Sequence, residues 1–344
     1  MRLVTFSYKN SEPHIGLAIG NWRKWESVID LNKAAQKEGI KSFPTGMVEF
    51  IEACGEFQGE IWNFVDKINS DAKSYTAKNQ PQTQNGIVLK PEEVKLFSPV
   101  QPKLLRDFIA FRGHIKRTRA NRGMLVAKEW DYLPAYYNGN NLTVIGPDQD
   151  VEYGQYLLAQ DGEMRKFQTE KLDYEAEIGY IIGKVGKNIS RKEAKNYLFG
   201  VTIFNDFSIR DLQLLVMNVG LGPGFGKDWA NALGPCIVTA DEFGEPSSNR
   251  VVVKVNGQER LNSTYKDLVN TPILEKGEKT HWSFEEIVEF ISYNQKIFPG
   301  EVWGSGTISG GCELEQGQNA RYLKPGDVVE IAIEGIGVLR NKIV

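Results

Sequence analysis

The sequence predicts an α+β protein built on a mixed, rolled β-sheet, and three observations carry that reading. Short runs rich in β-branched and aromatic residues, closed by Gly, Asn or Asp, recur along most of the 344 residues. Helical periodicity is confined to a few stretches and does not alternate with strands as βαβ units do. No internal repeat or low-complexity tract breaks the pattern.

Taken in order, "RLVTFSY" and "HIGLAIG" read as two strands joined by the polar turn "KNSEP". From Met47 to Lys73, apolar residues fall at helical spacing, which predicts an amphipathic helix or a helical pair weakened at Gly55 and Gly59. "TAKNQPQTQNG" (76–86) is polar and proline-bearing, the expected linker between a small N-terminal β-rich domain (1–90) and a second, larger domain (91–344). Two prolines in "SPVQPK" then forbid a regular helix. Beyond them "NLTVIG", "YEAEIGYIIG", "YLFGVTIFND", "GPCIVT", "RVVVKVNG" and "DVVEIAIEGIGVLRNKIV" predict strands. Helices are expected at "SRKEAKNY", "SIRDLQLLVMN" and "SFEEIVEFISYNQ", where Ser283 and Glu286 form a capping box.

Bulk properties narrow the function. With 41% hydrophobic and 25% charged residues the chain is of ordinary soluble composition. A net charge of −3 excludes wholesale nucleic-acid binding, and no apolar run reaches the roughly 18 residues of a membrane span. The N-terminus lacks a signal-peptide core, so a cytoplasmic protein is expected. Cys54, Cys236 and Cys312 are widely spaced, which points to neither a disulfide framework nor a zinc knuckle.

The chemistry starts at "KLDYEAEIGYIIG" (171–183). Glu175 and Glu177 stand two apart on an expected strand and therefore share a face. Side by side they repel, so the face is either solvated or shared with a cation. Asp206 ends "GVTIFND"; its plain reading is a helix N-cap, but Arg210 and Gln213 follow on the same helical face. Asp107 in "LLRDFIAFRGH" adds a fourth carboxylate, seven residues before His114. Oxygen-rich sites suit hard divalent cations, which turn mutual repulsion into shared attraction.

Other motifs fail. "GLGPGFGKDW" lacks the Walker pattern, with Leu221 and Asp228 at required Gly and Ser/Thr positions, and "GSGT" is no nucleophile elbow, since Val302 stands at the first glycine position. The basic segment Arg112 to Arg122, with Lys116, Arg117 and Arg119, reads as a solvated face or as a mobile lid over an anionic substrate. His281 in "THWSF" reads as structural.

In order and spacing, "RDFIAFRGH", "LPAYYNG", "DYEAEIGYIIG", "FNDFSIRDLQ", "GPGFGKDW" and "GSGTISGG" resemble the fumarylacetoacetate hydrolase superfamily, from about residue 100 to the C-terminus. Residues 1 to about 90 resemble the small N-terminal domain of its two-domain members. The resemblance implies Glu175, Glu177 and Asp206 as metal ligands, with Asp107 as a fourth, and a divalent ion: Mg²⁺ first, Mn²⁺ or Ca²⁺ as alternatives. It places His114 as general base, Glu315 rather than Glu313 as the carboxylate orienting it, and Tyr137, Arg210, Gln213, Lys227 and Thr307 at substrate-contacting positions. Ile109 stands where the hydrolase has a substrate-binding tyrosine. Arg117 stands where single-domain members carry a glutamate beside their lid histidine. The expected activity is hydrolysis of the C–C bond of a small β-diketo acid of the acylpyruvate or fumarylpyruvate type, with Lys227 stabilising the developing oxyanion. The rivals are an oxo-acid decarboxylase or tautomerase, and a non-catalytic ligand-binding homologue. A homodimer acting on a small oxo-acid is the implied assembly.

Overall fold

A computed structural model describes residues 1–9, 11–78 and 86–344. Most of the expected linker, residues 79–85, and Asn10 of the first turn lie outside the described residues.

The β-branched runs assemble into a mixed sheet whose centre holds the strands Asn231–Thr239, Leu198–Asp206, Ala176–Ile182, Glu301–Gly304 and Leu104–Phe108, side by side in that order. All are antiparallel neighbours except the last two, which run parallel. The N-terminal strands Arg2–Tyr8, His14–Asn21 and Lys24–Asp30 extend this same sheet, because Arg2–Tyr8 pairs with Asn231–Thr239. The amino terminus is fixed there too, its ammonium donating to Thr239 Oγ1 at 2.7 Å. We therefore keep 1–90 and 91–344 as a proposed division of the chain, in which the strands of the first part continue the sheet of the second.

Alternation along the strands feeds two cores. On one face Ile178, Val201, Ile203 and Val238 meet a second sheet of Gln258–Thr264, Arg250–Val255, Val328–Ile333, Gly337–Ile343 and Asp150–Val151, which contributes Val253, Ile331 and Leu339. On the other, Ile181, Phe199, Ile237 and Val302 pack against Phe50, Ile51 and Val65. Those last residues sit on helices Met47–Cys54 and Glu60–Ser70, the expected helical pair, broken between Gly55 and Gly59. The result is a helical layer, the large sheet and the five-stranded sheet stacked in that order.

The capping box forms at helix Phe284–Ser292: Glu286 N–H donates to Ser283 Oγ at 3.3 Å, and Ser283 N–H to Glu286 Oε2 at 2.9 Å. Elsewhere the local reading is corrected. "SRKEAKNY" yields only a 3₁₀ turn, Ala194–Tyr197, because Ala194 is its single buried residue and offers too little apolar face. A hairpin not expected from the sequence pairs Gln155–Gln160 with Glu163–Gln168 across Asp161–Gly162, both at positive φ (53° and 81°). Asp-Gly at a two-residue turn is the signal that marks it.

Candidate metal centre and active site

The carboxylates converge because the strands bearing them are neighbours. Glu177 lies opposite Phe204, two residues before Asp206 on the next strand. Asp107 comes from the far side of Glu301–Gly304, where it lies opposite Gly304. That glycine decides the geometry: a Cβ there would stand 2.5 Å from Asp107 Oδ1 and 2.7 Å from the Phe204 ring. Lacking one, it lets Asp107 reach across the intervening strand. Asp206 ends its strand and caps no helix, since the following helix, Arg210–Met217, starts after Ile209.

Asp107, Glu175, Glu177 and Asp206 are all buried, and a ligand oxygen from each lies within 4.8 Å of the others. Two buried cations accompany them. Lys227 Nζ donates to Glu175 Oε2 (2.5 Å), Asp206 Oδ2 (2.5 Å) and Ser208 Oγ (2.9 Å). Arg210 pairs through Nη2 with Glu175 Oε1 at 2.7 Å and with Asp173 Oδ2 at 2.8 Å. Counting Asp173, five carboxyl groups stand against two cations, so acidic groups are in excess. Asp107 Oδ1, Glu177 Oε1 and Asp206 Oδ1 are buried without a hydrogen-bond partner. Unpartnered buried carboxylate oxygens are costly, and here they are grouped, so the donor set fits a hard divalent cation.

The electrostatics agree. Burial pushes the carboxyls of Asp107, Glu177 and Asp206 up, and the charge of Glu175 adds to the rise in each. Burial also acts on Glu175, but Arg210 and Lys227 outweigh it and hold that carboxyl well below its ordinary value. Lys227 stays charged: burial opposes its charge, while Asp206 and Glu175 raise its pKa more strongly.

Asp107, Glu175 and Glu177 line an 870 Å³ cavity together with His114, Tyr137, Arg210, Gln213, Lys227 and Thr307. Tyr137 donates its hydroxyl to Asp206 Oδ2 at 2.8 Å, and Gln213 Oε1 accepts from Arg210 Nη1 at 2.9 Å. Ile109 borders the same space.

The basic segment is the helix Arg112–Ala120. His114 Nδ1 lies 2.8 Å from Glu315 Oε1. The other oxygen of Glu315 accepts from Arg117 Nη1 (2.9 Å) and Gly310 N–H (2.7 Å), so the carboxylate is held on every side. Glu313 turns elsewhere, accepting from Tyr174 Oη (3.2 Å) and Arg321 N–H (2.8 Å). The expectation of a mobile cationic lid needs correction on one point. Lys116 is spent on Glu275 and Glu278, Arg117 on Glu315, and Arg112 on Asp131 and Glu278, so these cations fasten the helix down. Arg119 and Arg122 do line the cavity. His114, Cys312 and Glu315 are also close enough for a second ligand set. Glu315 has no oxygen to spare, however, and burial keeps the Cys312 thiol protonated.

Sequence reasoning missed Asp173. It precedes Glu175 by two residues, so "DYEAE" extends the run of carboxylates at every second position; that spacing was the available signal. It missed Gly304 too, whose role depends on a neighbour nearly 200 residues away.

With this geometry in view, the comparisons are specific. The fumarylacetoacetate (FAA) hydrolase C-terminal profile matches residues 103–344. The chain belongs to the fumarylacetoacetate hydrolase family. Among this family's members, oxaloacetate tautomerase YisK of Bacillus subtilis is 26% identical over 333 residues, covering 96% of this chain and 95% of YisK. The bovine mitochondrial oxaloacetate tautomerase FAHD2A is 27% identical over 347 residues, covering 100% and 92%. A crystal structure of maleylpyruvate hydrolase from Sphingobium sp. SYK-6, in complex with manganese(II) and pyruvate, shares the fold with a TM-score of 0.62 at 16% identity, covering 100% and 99%. Relatives in sequence thus carry the name tautomerase, and proteins that share the fold are named as isomerases and hydrolases, one of them in complex with manganese(II).

Proposed function

We propose that this protein is a divalent-metal-dependent enzyme that moves a proton on an enolisable 2-oxo acid, interconverting the keto and enol forms of oxaloacetate. The observation that carries the reading is His114, backed by Glu315, facing the same cavity as Asp107, Glu175 and Glu177 of the four-carboxylate cluster. Two whole-length relatives named as oxaloacetate tautomerases support this choice over the hydrolase expected from the sequence.

Asp107, Glu175, Glu177 and Asp206 would hold the ion, which supplies positive charge to the adjacent carboxylate and carbonyl oxygens of a 2-oxo acid. Mg²⁺ or Mn²⁺ suits these all-oxygen ligands. The protein's own residues do the rest. Glu315 accepts from the Nδ1–H of His114, which leaves Nε2 as the basic nitrogen. Nε2 takes the proton from the carbon beside the carbonyl, and Glu315 stabilises the imidazolium that forms. The imidazolium then gives its proton to the enolate oxygen, which yields the enol and restores the neutral ring; in the reverse direction Nε2 takes the enol O–H proton and returns it to carbon. All three N–H bonds of Lys227 are committed, so it serves first to hold Glu175 and Asp206 in place. With those carboxylates shared with a bound cation, it would be free to donate to a substrate oxygen.

One observation favours a second reading. The cavity is far larger than a four-carbon diacid, and Ile109, Ile115, Leu133 and Leu214 border it. Space of that kind suits an acyl tail, and hydrolysis of an acylpyruvate would use His114 to activate water instead. Parallel assays of oxaloacetate tautomerisation and acylpyruvate cleavage, each with Mn²⁺ and with chelator, separate the two. Metal-dependent acceleration of the first alone supports the tautomerase; cleavage alone supports the hydrolase. A cytoplasmic homodimer belongs to the same proposal, and among the described residues no helix is long and apolar enough to cross a membrane.

A further inference from the structure

We infer that Asp173 is a positioning residue that locks the His114–Glu315 pair to the carboxylate centre; the inference rests on the proposed role of that pair. Asp173 is fully buried at the end of the short strand Leu172–Asp173, opposite Ser208, the residue that accepts from Lys227. Both of its oxygens are in full use. Oδ1 accepts from the backbone N–H groups of Tyr174 and Glu313, each at 2.9 Å. Oδ2 accepts from the N–H of Leu314 and from Arg210 Nε, again at 2.9 Å, with Arg210 Nη2 at 2.8 Å.

The two groups of donors lead to different parts of the site. Glu313 and Leu314 open the 3₁₀ segment Glu313–Asn319, so their N–H groups have no partners within it, and they immediately precede Glu315. Arg210 continues to Glu175 at 2.7 Å and to Gln213 at 2.9 Å. One carboxylate about 140 residues from the 3₁₀ segment thus sets where Glu315 starts and where the guanidinium beside Glu175 lies. A charged acceptor is needed because three backbone N–H donors and Arg210 Nε converge on it, with the Arg210 Nη2 charge alongside. An isosteric amide would present NH₂ to at least one of those donors and push the segment away.

The test is Asp173→Asn in the full-length, Mg²⁺-loaded chain, read by nitrogen-15 correlation spectra of the histidine rings. The protein has three histidines, His14, His114 and His281, so two act as internal controls. The inference predicts that His114 loses the Nδ1–H tautomer signature while His14 and His281 keep theirs. It also predicts that kcat falls at least about tenfold with KM changed less than about threefold, in the range of impaired general-base catalysis. An unchanged His114 signal overturns it, as does collapse of all three signals, which would make Asp173 a general support of the fold. If Asp173→Asn does not accumulate as folded protein, Asp173→Ser is read by the same criteria. The ring signal does not depend on turnover. A wild type inactive on every oxo-acid would therefore remove the functional reading while this one is still judged by the spectra.

Discussion

His114 Nδ1 and Glu315 Oε1 are 2.8 Å apart although 201 residues separate them in the chain. Arg117, one turn further along the helix, donates to the other oxygen of Glu315 and so helps to hold the distant glutamate beside the histidine. Glu315→Gln should therefore lower turnover by about two orders of magnitude, in the range of general-base support, with metal affinity nearly intact. Glu313→Gln should stay near wild type in turnover. Steady-state kinetics on both variants check this; a large loss confined to Glu313→Gln would reverse the assignment.

The unpartnered oxygens of Glu177, Asp206 and Asp107 predict that Glu177→Gln and Asp206→Asn each weaken Mn²⁺ binding strongly, by tenfold or more on the scale of a lost charged ligand. The far-ultraviolet circular dichroism should be retained. Asp107→Asn should follow the same direction. Titration calorimetry showing wild-type affinity in all three would remove the metal centre from the account.

Gly304→Ala tests the geometry without touching a ligand. The added methyl meets Asp107 Oδ1 and the Phe204 ring, so Asp107 must swing out of the cluster. Mn²⁺ affinity should fall roughly as far as in Asp107→Asn, about tenfold. Unchanged affinity in a folded protein would mean that Asp107 is not needed at the centre.

Glu313 gives a pH dependence. Burial, and then the charge of Asp173, push its carboxyl up to about 6. A carboxyl whose folded pKa lies above its unfolded value of roughly 4.3 is protonated preferentially in the folded state. Its contribution to stability is present at low pH and is lost as pH rises through about 6. The stability of wild type relative to Glu313→Gln, from urea melts, should fall between pH 4.5 and 7. An advantage that grows with pH would contradict the shift.

How much of this was legible in the sequence differs from residue to residue. Glu175 and Glu177 reveal their shared face because strand periodicity is local, and Ser283 with Glu286 reveals a helix start for the same reason. Helix Arg210–Met217 was readable from its apolar spacing. The pairing of Arg2–Tyr8 with Asn231–Thr239 was not, since register between segments more than 200 residues apart depends on packing rather than spacing. Asp107 could be named, but the glycine across which it reaches could not. The linker near residue 80 was inferred from composition and lies outside the described residues.

The measurement closest to the central claim follows the enol absorbance of oxaloacetate as it relaxes to the keto form, with Mn²⁺, for wild type and His114→Gln. The account predicts an enzyme-dependent acceleration that chelator abolishes and that His114→Gln lowers by at least about a hundredfold, the scale of a lost general base. Metal affinity in His114→Gln should match wild type, because His114 pairs with Glu315 and stands outside the four-carboxylate ligand set. Full acceleration by His114→Gln, or none by the metal-loaded wild type, would contradict it.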